Sequence, residues 1–179
     1  DIDGAEAAFR AAIRIDPKDA GAQFSLGALL KNKRKDIDGA EAAFRAAIRI
    51  DPKHANAHIC LGTLLKTERK DIDGAEAAIR AAIRIDPEHA KAHFNLALLL
   101  QAERKDIDGA EEANRAVIVD DPKYAKAHFN LALLLQNESK DIDGAEEAFR
   151  AAIRIDPKYA NAHYYLGALL QDERKDMDG

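Results

Sequence analysis

Apolar residues fall along this chain in two alternating patterns, each with a helical period. In the first, His58, Leu61, Gly62 and Leu65 stand at i, i+3, i+4 and i+7, the spacing that lines one face of a helix. In the second, Ala40, Phe44, Ala47 and Ile48 share a face in the same way. The Asp51-Pro52 pair predicts the start of the first-type helix, an acidic cap followed by a proline whose missing N–H costs nothing there. Asp38, with Glu41 three residues on, predicts the start of the second type through a capping-box-like signal. Glu41 and Arg45 lie one turn apart, as do Glu76–Arg80 and Glu146–Arg150, and they mark the solvent side.

The two patterns repeat in phase. The motif Asp-Ile-Asp-Gly begins at Asp1, Asp36, Asp71, Asp106 and Asp141, and it returns at Asp176 with Met177 in place of isoleucine. An Asp-Pro pair recurs in the same register at Pro17, Pro52, Pro87, Pro122 and Pro157. The periods 1–35, 36–70, 71–105, 106–140 and 141–175, with a partial repeat at 176–179, account for the chain as a single array without linkers. Helices this short do not persist alone in water, so each must bury its apolar stripe against its neighbours. An all-α fold of about ten helices follows.

The motifs within each period spell out a family pattern. The last first-type helix reads His163-x2-Leu166-Gly167-x2-Leu170, the second-type helices read Ala40-x3-Phe44 and Ala145-x3-Phe149, and Pro52 and Pro157 come after them. The chain resembles the tetratricopeptide repeat family over its whole length, in a variant of 35 residues where the family has about 34. The resemblance implies a right-handed superhelical α-solenoid of stacked antiparallel helix pairs. His58, His93, His128 and His163, with Gln23 in the first period, stand where the family carries Trp, and Leu replaces its Tyr. The additional residue falls in the turn between helices, within Glu68 to Asp71. Asn114 stands at the aromatic position and Val119-Asp120 replaces the Arg49-Ile50 pair, which predicts a weakened fourth period.

Members of the family line a concave groove with their first-type helices. That layout implies an inner row of Phe24, Ile59, Phe94, Phe129 and Tyr164, and a second row of Ala28, Thr63, Leu98, Leu133 and Ala168. Asn95, Asn130 and Tyr165 would stand beside them, with Ser25 and Cys60 at equivalent places and Lys91, Lys126, Gln101 and Gln136 at the margins. Such a strip could take an extended peptide or an amphipathic helix; rings that only fill gaps between helices are the competing reading. The family's carboxylate clamp needs Lys where Phe94 stands and Asn where Leu98 stands, so chaperone tails are not expected ligands.

Composition narrows the choice. Of 179 residues, 47% are apolar and 33% charged, while only 6% are aromatic and Trp is absent, so the core is built from Ala, Leu and Ile. The formal charge of −5 offers no basic surplus for a phosphate backbone, which argues against nucleic acid. The single Cys60 excludes an internal disulfide, and no run is apolar enough for a membrane span, so a cytoplasmic location is expected. His54–His58 and His89–His93 have metal-like spacing, but Tyr124 and Tyr159 take the first position in later periods. Recurrent acids at helix starts serve as caps, Cys60 lacks a base, and no glycine-rich phosphate loop is present. No catalysis, metal or cofactor is expected. Three functions stay open: a scaffold binding a protein or peptide, a structural array joining end to end because it opens on a second-type helix and closes on a first-type one, and an RNA-binding array of the pentatricopeptide kind.

Overall fold

The computed structural model describes the backbone of residues 1–177 and the side chains of residues 1–171. Of the partial repeat expected at 176–179, residues 178 and 179 lie outside the described residues. Among those described, the chain is all helix, in the solenoid class expected from the repeat. Second-type helices are α1 (Ile2–Ile15), α3 (Ile37–Ile50), α5 (Ile72–Ile85), α7 (Ile107–Asp120) and α9 (Ile142–Ile155). First-type helices are α2 (Ala20–Leu29), α4 (Ala55–Leu64), α6 (Ala90–Leu99), α8 (Ala125–Leu134) and α10 (Ala160–Met177). The chain divides into two compact units, Asp1–Asn95 and Leu96–Gly179.

In the first unit, α2 packs most closely on α3 and α4 on α5, with lighter contacts from α1 to α2 and α3 to α4. Ala40, Phe44 and Ala47 are fully buried, as the one-face spacing predicts. Phe44 fits because Gly27 lies beneath it: a Cβ on that residue would sit 2.8 Å from the ring. Gly62 gives Ile79 the same close approach in the next pair. In the second unit, α8 packs on α9 and α7, and α10 on α9, around a cluster holding Phe129, Leu131, Ala132, Leu135 and Phe149.

Both acids of the Asp-Ile-Asp-Gly motif have a local task. The Asp36 carboxylate accepts the Gly39 N–H at 2.9 Å, so the cap of α3 is Asp36, not Asp38 as the sequence reading has it. Asp38 is free for an ion pair, and it meets Arg69 at the end of α4's extension. Glu41 does not close a capping box; it accepts from Arg45 at 2.9 Å and from Arg69 at 2.8 Å. Arg34 grips Asp3 and Glu6 in the same manner. Hydrogen bonds from Arg69 above all hold the Glu41 carboxyl below the usual carboxylate range.

The expected start of the first-type helix also moves. Asp51 ends α3, its N–H returning to the Ala47 carbonyl at 2.8 Å, and its carboxylate accepts the Lys53 N–H at 3.0 Å in a turn through Pro52. α4 opens three residues later, where His54 caps it by accepting the Ala57 N–H on Nδ1 at 3.3 Å. His58 then donates from Nε2 to the Pro52 carbonyl at 3.1 Å, and His93, His128 and His163 repeat that bond to Pro87, Pro122 and Pro157. The histidine at the family's Trp position is therefore a tie between helix and preceding turn.

The thirty-fifth residue of each of the first four periods is absorbed at the far end of the first-type helix. Over Leu30–Arg34 the helix widens, and the Lys35 and Asp36 N–H groups both reach the Leu30 carbonyl, five and six residues back. Lys35 takes the left-handed conformation at φ 59°, and Lys70, Lys105 and Lys140 do the same. This places the additional residue where the Glu68–Asp71 stretch predicts it.

Candidate functional site

The expected binding rows lie on the first-type helices, and the structure sorts them by depth. In the first unit, Phe24 is half-buried; its ring lies 6.0 Å from Phe44 and 4.9 Å from His54, filling the gap between α3 and the start of α4. Ile59, 1% exposed, belongs to a cluster with Ala82 and Ala92. In the second unit Phe129, 8% exposed, is ringed by Phe149 at 5.9 Å, Tyr159 at 5.0 Å and Tyr165 at 5.7 Å. Ile59 and Phe129 thus serve packing, contrary to their expected place on a surface strip. The periodicity put them on the right helix and at the right register, but neighbouring helices close over them. Phe94 stays half-buried, and Tyr164 projects at 72% exposure.

The other two rows stay half-open. On the first unit's face they supply Ser25, Ala28, Cys60, Thr63 and Asn95, with Lys91 exposed beside them. The Thr63 hydroxyl is spent on its own helix, donating to the Ile59 carbonyl at 2.9 Å. Burial pushes the Cys60 thiol up, and the Lys91 and Lys31 ammonium groups oppose that shift. Lys31 is half-buried, as is Lys66 one period on, and both hold the register of Gln101 and Gln136. The repeat phase itself carried that signal.

On the second unit's face, Leu98, Asn130, Leu133, Gln101 and Gln136 are half-buried, Lys126 is exposed, and Tyr165 and Ala168 follow on α10. Asn130, Leu133 and Gln136 are spaced by three, so they share one side of α8 and its extension. Asn130 Nδ2 and Gln136 Oε1 are both buried without a hydrogen-bond partner. An unmet buried polar atom costs about 1–3 kcal/mol, which a ligand's backbone could recover if the amide turned outward. Leaving such groups in place is unusual in a surface with no polar task.

His54 Nδ1 and His58 Nε2 are each committed to backbone partners, so the metal-like spacing serves capping and tying. Among the described residues no cluster of three or more His, Cys, Asp or Glu is placed to hold a metal ion, and no helix is long and apolar enough to cross a membrane.

Comparison with known proteins agrees with this architecture. The family described as tetratricopeptide repeat matches residues 1–55 and 64–125, and a second described as TPR repeat matches residues 135–172. No curated protein sequence matches the chain. Solved structures similar to it include PilF of Pseudomonas aeruginosa, at 21% identity and a TM-score of 0.84 over 99% of this chain and 78% of that one. MamA is similar at 23% identity and a TM-score of 0.76, covering 90% of this chain and 92% of its own. YrrB, described as a TPR protein with an unusual peptide-binding site, is similar at 23% identity and a TM-score of 0.71 over 92% and 82%. At these identities the likeness is one of fold.

Proposed function

This chain belongs to the tetratricopeptide repeat family, and from that premise we propose that it is a protein-interaction scaffold whose first-type helices hold an extended peptide or a partner helix. The observation that carries this reading is the α8 face, where two unmet amide atoms flank Leu133. Amides that can turn to a peptide backbone, beside an aliphatic surface for its side chains, are the two components that extended-peptide recognition needs. YrrB's described peptide-binding site is in keeping with this reading.

The first unit's face differs in character, with Lys31, Lys66 and Lys91 where the second has Gln101, Gln136 and Lys126. It suits a more acidic segment. The test is to select peptides from a random display library on the intact chain, then measure the best one against Asn130→Ala/Leu133→Ala. Binding should weaken about tenfold or more, as removal of a central anchor does. A selected peptide that binds this variant as tightly as the parent, while competing with every other selected peptide, places the ligand elsewhere.

A further inference from the structure

Away from that face, the second-type helices of the first unit leave a cleft that the proposed function does not use. It lies over α4, between α3 and α5, and encloses about 590 Å³. α5 lines it with small residues, Gly74, Ala77, Ala78 and Ala81. Ile48, Leu61 and Leu65 make its floor, and Arg45 and Arg49 stand on its rim. Arg45 gives one nitrogen to Glu41, whereas Arg49 has no ion-pair partner among the described residues. The one carboxylate on the lining, Asp71, is spent on its own helix, accepting the Gly74 N–H at 2.9 Å. An apolar trough with one unpaired guanidinium, Arg49, on its rim is complementary to a segment that is aliphatic on one side and acidic beside it.

The second unit contains the natural control. Its corresponding cleft, between α7 and α9 over α8, encloses about 620 Å³ with Ile118, Leu131 and Leu135 on the floor. In that cleft Val119, 78% exposed, holds Arg49's register, and Glu147 holds Ala77's. Arg115 is paired twice with Glu111, at 3.0 and 2.8 Å, and Arg154 shares the far wall with Glu147. The shape is kept, but here Arg115 and Arg154 are balanced on the lining by Asp141 and Glu147, whereas the first cleft sets Arg45 and Arg49 against Asp71 alone.

We infer that the α3–α5 cleft of the first unit is a second docking surface, for an acidic amphipathic helical segment of a partner protein. A leucine-like side chain occupies the floor, and carboxylates of the segment meet Arg49 and the outer nitrogens of Arg45. The cleft over α8 rejects the same segment.

The experiment uses the intact chain, labelled with nitrogen-15, and a short synthetic helix-forming peptide of leucine and glutamate carrying a fluorophore. Saturable binding is expected, with amide shifts confined to α3, α4 and α5. Arg49→Val/Ala77→Glu borrows both residues from the second unit at solvent-facing positions, and it should weaken binding about tenfold or more with an unchanged helical spectrum. Val119→Arg/Glu147→Ala should create a second binding event. Equal affinity for Arg49→Val/Ala77→Glu overturns the inference. So do shifts that map to Asn130 and Leu133, equal binding of a peptide with lysine for glutamate, or no saturation up to millimolar peptide. Failure here leaves the display-selected ligand of the first-type helices untouched, since that assay reads a different face.

Discussion

α3 and α7 occupy the same register in the two units and differ at five of fourteen positions, yet one is a well-filled element and the other is not. In α3, Phe44 is fully buried over Gly27. In α7 its place goes to Asn114, 1% exposed, whose Nδ2 donates to the Ala110 carbonyl at 3.0 Å while Oδ1 has no partner. Val117 in place of Ala47 returns some of the lost volume one turn away and is itself fully buried. Asp120 replaces Ile50 at a half-buried position. The outer clamp differs as well: Arg69 binds Asp38 and Glu41, whereas Ser139 in its register reaches Glu111 only at 3.4 Å. The lesson is that one repeat can lose both its core ring and its ionic clamp and still keep the helix, because caps and neighbours remain.

The comparison breaks most directly at the ring. Phe44→Asn should cost the first unit on the order of 4 kcal/mol, combining a lost aromatic with an unmet amide. Hydrogen exchange of the α2 and α3 amides should accelerate accordingly, and unchanged rates would show that the ring is not what distinguishes the units. The reverse change, Asn114→Phe, should stabilise the second unit by about 2 kcal/mol. Alanine opposite the ring is no obstacle, since Ala132 and Phe149 share one buried cluster. A destabilised Asn114→Phe variant would mean that Val117 has already claimed the space.

A smaller effect should follow from Ser139→Arg, which restores the clamp on Asp108 and Glu111. In the first unit, the Glu41 carboxyl lies below its ordinary value, chiefly through Arg69. Its stabilising contribution is therefore complete above the unfolded glutamate value of about 4.3 and is lost as pH falls through the lower folded value. The variant should gain a melting-temperature increase at neutral pH that fades in molar salt and in acid. An increase that persists in molar salt would argue for packing by the arginine stem. Smallest of all is the response of Cys60, which burial should make slower to alkylate at neutral pH than a free thiol. Lys91→Glu should slow it further, and an unchanged rate would remove Lys91 from the first unit's binding face.

Repetition made the architecture legible. Five copies of Asp-Ile-Asp-Gly and of Asp-Pro fix the helix pairs, and Leu61, Gly62 and Leu65 are buried on the face their spacing predicts. Cap positions were harder, because Asp51 and Asp36 are equally good caps on composition and only the hydrogen bonds separate the turn from the helix start. The rows of the site were legible as registers but not as depths. Phe129 is closed over by Tyr159, just before α10, and by Tyr165 on α10, in the next period, and no local pattern reports that. The cleft over α4 was illegible for a related reason: it lies between helices of successive periods, and an alanine such as Ala77 or Ala81 looks the same in sequence facing a void as facing a neighbour.

The widened turn at each lysine bears on how such an array can change length. Lys35-Asp36 and Lys70-Asp71 are the same dipeptide in the same left-handed-to-cap geometry. Excising one whole period would therefore join Lys35 to Asp71 and recreate a junction the backbone already makes, with no new loop to close. Duplication inserts one in the same way. The molecule carries its own splice points, and a ruler of one repeat is the natural step in which to lengthen or shorten it.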